Sequence, residues 1–318
     1  MNIENIDSHY PRKPILIRKK NTGHIAVTIF SIVLFALTFS FILNDYYLIS
    51  LLLGVLIFHE GGHYIMMKIF KYEELNMLFI PFMGAMVSGK KKIYSQVQSS
   101  IMVLAGPIPG ILVGVFLLIN PWFELHPITI QLGVILILLN VLNLVPIEPL
   151  DGGQLMRNLF FSNYEFSQLI FSILSSLSFM VIGLLLNSWV VTVFGVLLGL
   201  RIKSQHKLYL IRKSLREEEV DYESNYEDLP DSTYSKMKAI IKEYNPVLTQ
   251  IEEYDDGEEY DQLVAKQVDS VLFPPMKRDA SMLFKSFVVF LWLGSILASF
   301  YAIYSIDFNT IIHAFQHR

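Results

Sequence analysis

Residues 51–63 read Leu51-Leu52-Leu53-Gly54-Val55-Leu56-Ile57-Phe58-His59-Glu60-Gly61-Gly62-His63. An apolar run leads into two histidines four residues apart, with a glutamate between them. On a helix, positions i and i+4 share a face one turn apart. Two imidazoles placed so can grip one metal ion, and the glutamate beside them can take a proton from water. Ionisable groups in an apolar membrane helix are costly and functional by default. Gly61 and Gly62 each weaken a helix by about 1 kcal/mol relative to alanine. They fit two compatible readings: close helix packing, or room for a substrate beside the metal.

The apolar setting repeats along the chain. Seven segments stand out, at about 22–44, 47–70, 98–119, 128–147, 166–186, 188–202 and 283–305. Apolar residues make up 53% of the 318 and charged residues only 17%, against about a quarter charged in soluble domains. Runs of about 20 apolar residues span a bilayer. The expected fold is an all-α polytopic membrane protein of six to seven transmembrane helices. The first segment follows Arg12, Lys13, Arg18, Lys19 and Lys20, is longer than a signal-peptide core and lacks a small-residue cleavage site, so it reads as a retained helix. Basic residues recur on alternate loops, which places the N-terminus in the cytoplasm; the expected location is a plasma (bacterial inner) membrane. The net charge of −4 gives no reason to expect nucleic acid, and the absence of cysteine excludes thiolate metal sites and cysteine nucleophiles. A metal here must be held by His, Asp or Glu.

The stretch Leu75–Ser88 reads LNMLFIPFMGAMVS. Pro81 and Gly84 interrupt it, so it cannot span. A small membrane-embedded β-hairpin or a re-entrant loop fits it, buried beside a cavity. The expected division is a cytoplasmic tail at 1–20, a transmembrane domain at 21–202 with its core at about 45–155, an acidic cytoplasmic domain at 203–280, a last transmembrane helix at 281–306 and an external tail at 307–318. Residues 203–279 hold 11 Lys and Arg against 18 Asp and Glu, a net −7. That segment reads either as a solvated, partly helical tail or as a regulatory region that meets a partner. His9, His24, His126, His206, His313 and His317 lie in tails, loops or helix ends and are expected to be solvated.

A catalytic zinc site needs a third protein ligand. The fourth segment closes in Asn143-Leu144-Val145-Pro146-Ile147-Glu148-Pro149-Leu150-Asp151-Gly152-Gly153. Its prolines disrupt the helix, and its glycines allow a sharp turn after Asp151. Segments two and four run in the same direction, so His59, His63 and Asp151 reach similar depth. On spacing alone, a metal ligand and an interfacial Asp-Gly turn are equal readings of Asp151.

The two motifs together resemble the site-2 protease family of intramembrane zinc metalloproteases, whose pattern is H-E-x-x-H followed by N-x-x-P-x-x-x-x-D-G. Ala105-Gly106-Pro107 in the intervening span is similar too. The resemblance covers about residues 45–155. It implies a three-helix metalloprotease core, with Zn2+ held by His59, His63 and Asp151 and with Glu60 as general base and later proton donor. It implies that Asn143 positions substrate or stabilises an oxyanion, and that Gly84, Ala85 and Met86 meet an unwound substrate strand. The implied substrate is a transmembrane protein or peptide, cut within the bilayer. Glu148 departs from the family pattern and reads as a rim charge. No segment resembles the PDZ or CBS domains of many relatives. An intramembrane metal transporter and a catalytically inactive homologue are the alternatives. Against the transporter stand the lone ligand cluster and the glutamate inside the histidine pair.

Overall fold

The computed structural model describes residues 10–18, 24–43, 45–81, 84–120, 126–162, 164–254 and 257–316. The ends of the two expected tails, with His9 and His317, and the junction at 19–23 lie outside the described residues. The chain divides into two compact units. One comprises 21–91, 95–196 and 278–318; the other comprises 1–20, 92–94 and 197–277.

The first unit holds the apolar helices: α1 (His24–Leu43), α2 (Tyr46–Ile69), α3 (Gln96–Leu104), α4 (Pro107–Ile119), α5 (Pro127–Asn143), α6 (Asp151–Met156), α7 (Glu165–Leu185) and the start of α8 (Trp189–Glu217). Two more helices, Met282–Tyr304 and Phe308–Gln316, follow late in the chain. Among the described residues, four stretches are long and apolar enough to cross a membrane: Tyr46–Ile69, Gln96–Ile119, Glu165–Leu185 and Met282–Tyr304. Two shorter apolar helices, Ile25–Phe41 and Pro127–Asn143, join them. The third expected segment is broken, because α3 stops at Leu104 and α4 starts with Pro107 at its first position, where a missing N–H costs nothing. The sixth is not a separate helix. Trp189–Glu217 forms one helix of 29 residues, because no Pro or Gly interrupts the good helix formers between Arg201 and Glu217.

The interrupted stretch after α2 forms two strands, β1 (Glu73–Ile80) and β2 (Gly84–Lys90), paired antiparallel with Met77 opposite Val87 and Phe79 opposite Ala85. Helix α1 covers one edge of this pair. Thr28 Oγ1 donates to Met77 O at 2.7 Å, and Phe79 N donates to Ser31 Oγ at 3.1 Å. Phe35, Leu56 and Phe79 seal the junction between α1, α2 and β1. Elsewhere in this unit large apolar side chains point outward, as with Leu184, Leu185, Leu297 and Phe300. Lipid-facing helices are built this way.

The second unit is inverted. The latter part of α8 and three helices, α9 (Asp231–Tyr244), α10 (Pro246–Tyr254) and α11 (Glu258–Val271), enclose Leu215, Met237, Ile241, Leu248, Val264, Ala265 and Val268. The acidic segment is therefore a folded helical body with its own core, rather than a solvated tail. Glu258, Glu259 and Asp261 occupy the first turn of α11, where the helix dipole favours negative charge.

Candidate metal centre

Helix α2 is capped by Asp45, whose side chain accepts from Tyr47 N at 3.1 Å and Leu48 N at 3.0 Å. Its 24 residues reach about 36 Å at 1.5 Å per residue. His59, Glu60 and His63 are buried in its second half. Asp151 opens α6 and is also buried. Tight folding brings it there: a side chain on Gly152 would strike the backbone of Leu144 and Val145. Trp292 Nε1 donates to Leu144 O at 2.9 Å and pins the same loop.

The structure brings His59, His63 and Asp151 together, three buried groups whose ligand atoms all lie within 4.8 Å of one another. His59 Nε2 and His63 Nε2 are 3.2 Å apart, and Asp151 Oδ2 lies 3.1 Å from the first and 3.3 Å from the second. Ligand atoms on a tetrahedral zinc with bonds of about 2.0–2.1 Å lie about 3.3 Å apart. The hydrogen-bond pattern agrees. His63 Nδ1 is 2.8 Å from Met102 O, and a carbonyl can only accept, so the ring proton sits on Nδ1. His59 Nδ1 is 2.6 Å from Asn140 Oδ1, while Asn140 Nδ2 donates to Leu136 O at 2.6 Å. The amide is thus oriented with its oxygen toward His59, whose proton also sits on Nδ1. Both Nε2 atoms are left as lone pairs, and Asp151 Oδ2 is buried without a hydrogen bond. Three acceptors converging in a buried site repel one another unless a cation joins them. The residues fit zinc.

Two glycines keep the space open. A side chain on Gly106 would meet the His59 and His63 imidazoles, and one on Gly62 would strike the Ala105 backbone. Gly62 therefore serves close packing, whereas Gly61 has open space around it. The Glu60 carboxylate is buried beside the imidazoles, with the Val87 backbone of β2 next to it.

The remaining expected residues are placed as follows. Asn143 lies at the end of α5, half-buried, and its Nδ2 donates to Leu139 O at 3.1 Å; it is not in the ligand cluster. Gly84, Ala85 and Met86 start β2. Gly84 has φ +91° and open space around it, so its place is due to backbone conformation rather than to close approach. Glu148 is more than a rim charge. Its side chain is only 13% exposed, pairs with Arg157 at 3.1 Å and accepts from Ser172 Oγ at 2.6 Å, and its backbone N–H donates to Ser175 Oγ at 3.0 Å. These contacts anchor the loop that delivers Asp151. Asn140 escaped the sequence reading. Its signal was a polar amide inside an otherwise apolar helix, which at membrane depth calls for a partner.

No protein-family model matches the chain. A zinc metalloprotease of Methanocaldococcus jannaschii, MJ0392, is 26% identical over 151 residues, covering 45% of this chain and 43% of the relative. The chain thus spans less than half the length of that relative. A solved structure described as a site-2 protease from the same organism aligns with a TM-score of 0.42 at 22% identity, over 60% of this chain and 94% of the other. Over less than half of its length the chain is similar to a zinc metalloprotease, and its paired motifs, which meet in one buried His59–His63–Asp151 cluster, resemble the site-2 protease family.

Proposed function

We propose that this chain is an intramembrane zinc endopeptidase that hydrolyses peptide bonds in the transmembrane segments of membrane-anchored proteins. The observation that carries the reading is the convergence of three buried lone-pair donors, drawn from two distant motifs, next to one buried glutamate. His59, His63 and Asp151 hold the metal. Zinc bound there supplies Lewis acidity, which polarises a carbonyl and eases the deprotonation of water. Glu60 accepts the proton from the attacking water and delivers it to the leaving amine. Asn140 and the Met102 carbonyl hold the two imidazoles in the tautomer that ligates. Asn143, one turn further along α5, positions the substrate or donates to the developing oxyanion.

Substrate capture belongs to β2. Helix α1 engages the outward Met77 O and Phe79 N–H of β1. By the alternation of an antiparallel ladder, the residues opposite them, Ala85 and Val87, direct their backbone groups away from β1. The Val87 backbone lies next to Glu60, so this edge of β2 runs beside the base. An unwound substrate strand added along Gly84, Ala85 and Met86 would bring its carbonyl toward the metal by β-augmentation. In this reading the N-terminus and the 203–280 region face the cytoplasm across a plasma membrane, and the bilayer delivers the substrate.

The test is Glu60→Gln in purified protein with a reconstituted membrane-anchored substrate. Zinc content should stay near that of the unmodified chain while cleavage falls to background. Cleavage by Glu60→Gln at the unmodified rate would refute the assignment. Zinc accumulation in proteoliposomes, with no substrate cleaved by the unmodified chain, would favour transport instead.

A further inference from the structure

The acidic unit holds an extended piece of its own chain. Residues 10–18 carry no helix or strand, yet their contacts are specific. Lys13 Nζ donates to three carbonyls, Tyr226 O at 2.6 Å, Leu229 O at 2.6 Å and Glu227 O at 3.0 Å, and lies 5.3 Å from the Tyr226 ring centroid. An ammonium has three donors and no acceptor, so the carbonyls of the Tyr226–Leu229 stretch satisfy it completely. A planar guanidinium does not match three carbonyls arranged around one point. Burial lowers the Lys13 ammonium from its ordinary range, against the opposing pull of Asp231, Glu227 and Asp228. Lys13 N also donates to Asp231 Oδ1 at 2.9 Å.

The backbone beyond Lys13 is read as backbone. Tyr226 Oη donates to Pro14 O at 2.8 Å. The Gln262 side-chain amide grips two peptide groups at once: Nε2 donates to Ile15 O at 2.7 Å, and Oε1 accepts from Ile17 N at 3.0 Å. A single amide thus imitates a neighbouring strand. Leu16, between those two residues, packs against the domain core, whereas Ile15 and Ile17 are 87% and 59% exposed. This in-out alternation is that of an extended chain. Arg18 closes the segment with ion pairs to Glu227 at 3.1 Å and Asp269 at 3.0 Å. A cleft of about 560 Å³ lies between Pro14, Ile15 and Ile17 on the arm and Gly257, Glu258 and Asp261 on the domain.

We propose that the 203–277 body is a peptide-recognition module for basic extended segments of the form Lys-Pro-x-Leu-x-Arg, whose site residues 13–18 occupy in cis. Lys13 and Leu16 are the anchors, Arg18 adds charge, and the positions of Ile15 and Ile17 tolerate other side chains because they face solvent or the cleft. The acidic balance of the body suits a basic ligand. The anchors are few, so the arm stays docked chiefly because its tether holds it at a high effective concentration, on the order of millimolar. A free peptide of the same chemistry would displace it.

The experiment uses the full chain in detergent and a fluorescent synthetic peptide of residues 10–20, followed by anisotropy. The unmodified chain should bind it weakly, since its own arm competes. The double variant Lys13→Glu, Arg18→Glu, in which both substitutions lie on the arm, should bind it at least tenfold more tightly. Adding Gln262→Ala to that variant should weaken binding at least several-fold, and a peptide carrying Lys13→Glu should not bind. Equal binding by the unmodified and double-variant chains, or indifference to Gln262→Ala, would overturn the proposal. A second measurement does not depend on how the variants fold: saturating free peptide should speed hydrogen exchange at the Ile17 amide of the unmodified chain while a scrambled peptide leaves it slow. Protection unchanged at saturation would also overturn it.

Discussion

The metal-centre region and the acidic body obey the hydrophobic effect with opposite signs. Around the metal centre, His59, Glu60, Asn140 and Asp151 are buried while Leu184, Leu297 and Phe300 point outward. In the acidic body, Met237, Val264, Ala265 and Val268 are buried while the acids of α11 lie outside. The lesson is that a buried polar residue carries different weight in the two. In the acidic body apolar packing holds the fold. In the membrane unit lipid removes most of the reward for burying leucine, and polar contacts such as Trp292 to Leu144 O and Thr28 to Met77 O fix which helix meets which.

The largest difference should appear on truncating one apolar side chain in each region. Met237→Ala should destabilise the acidic body by about 2–5 kcal/mol, whereas Leu297→Ala, on an outward face, should shift stability by no more than about 0.5 kcal/mol. Hydrogen exchange resolved by segment in detergent would read both. Similar losses at the two sites would erase the contrast.

Next in size is the tautomer lock. Asn140→Ala should lower zinc affinity about 10- to 100-fold, the usual effect of removing a partner that orients a histidine ligand. Competition with a calibrated chelator would measure it. The same substitution at Asn143 should leave zinc affinity unchanged and, if that residue positions substrate, lower cleavage instead.

A smaller effect is expected at β2. Ala85→Pro removes an N–H directed away from β1 and so spares the ladder, while Met86→Pro removes one directed into it. Ala85→Pro should slow cleavage of a membrane substrate by about tenfold, the value of one hydrogen bond, with zinc content and the β1–β2 pairing intact. Cleavage unchanged by Ala85→Pro would exclude capture along this edge.

The smallest effect is a pH dependence outside the spanning helices. Burial opposes charge on Asp279, but hydrogen bonds from Ser95 Oγ at 2.6 Å and Val97 N at 3.1 Å outweigh it and hold the carboxyl below its ordinary 3.8. A depressed folded value means the contribution is complete above 3.8 and fades as pH falls through the lower folded value. Asp279→Asn should therefore flatten the acid limb of a melting-temperature profile and leave the neutral limb parallel to that of the unmodified chain.

These contrasts also mark what was legible in the sequence. The paired histidines and their glutamate were legible because helical spacing and the cost of charge in lipid are local rules, whereas for Asp151 spacing alone left an Asp-Gly turn as an equal reading. Pro81 and Gly84 marked Leu75–Ser88 as interrupted, which left a hairpin and a re-entrant loop open until the strand pairing was seen. The break at Ala105-Gly106 was not read although Gly106-Pro107 signals it, because apolar composition runs straight across. The continuity of α8 was hidden by its change from apolar to basic composition, which alters solvent but not helix geometry. Glu148 and Asn140 were missed or misread because their partners, Arg157, Ser172 and His59, are set by tertiary packing. The docking of residues 13–18 was unreadable for the same reason: its partners lie more than 200 residues away along the chain.

The central claim is that two distant motifs build one metal site, and metal content tests it most directly. The purified chain, and its His59→Ala and Asp151→Ala variants, would be measured for zinc by inductively coupled plasma mass spectrometry after dialysis against a weak chelator. The account predicts about one zinc per chain for the unmodified protein and a large loss in both variants. A full equivalent retained by Asp151→Ala would contradict it, since the site would then owe nothing to the second motif.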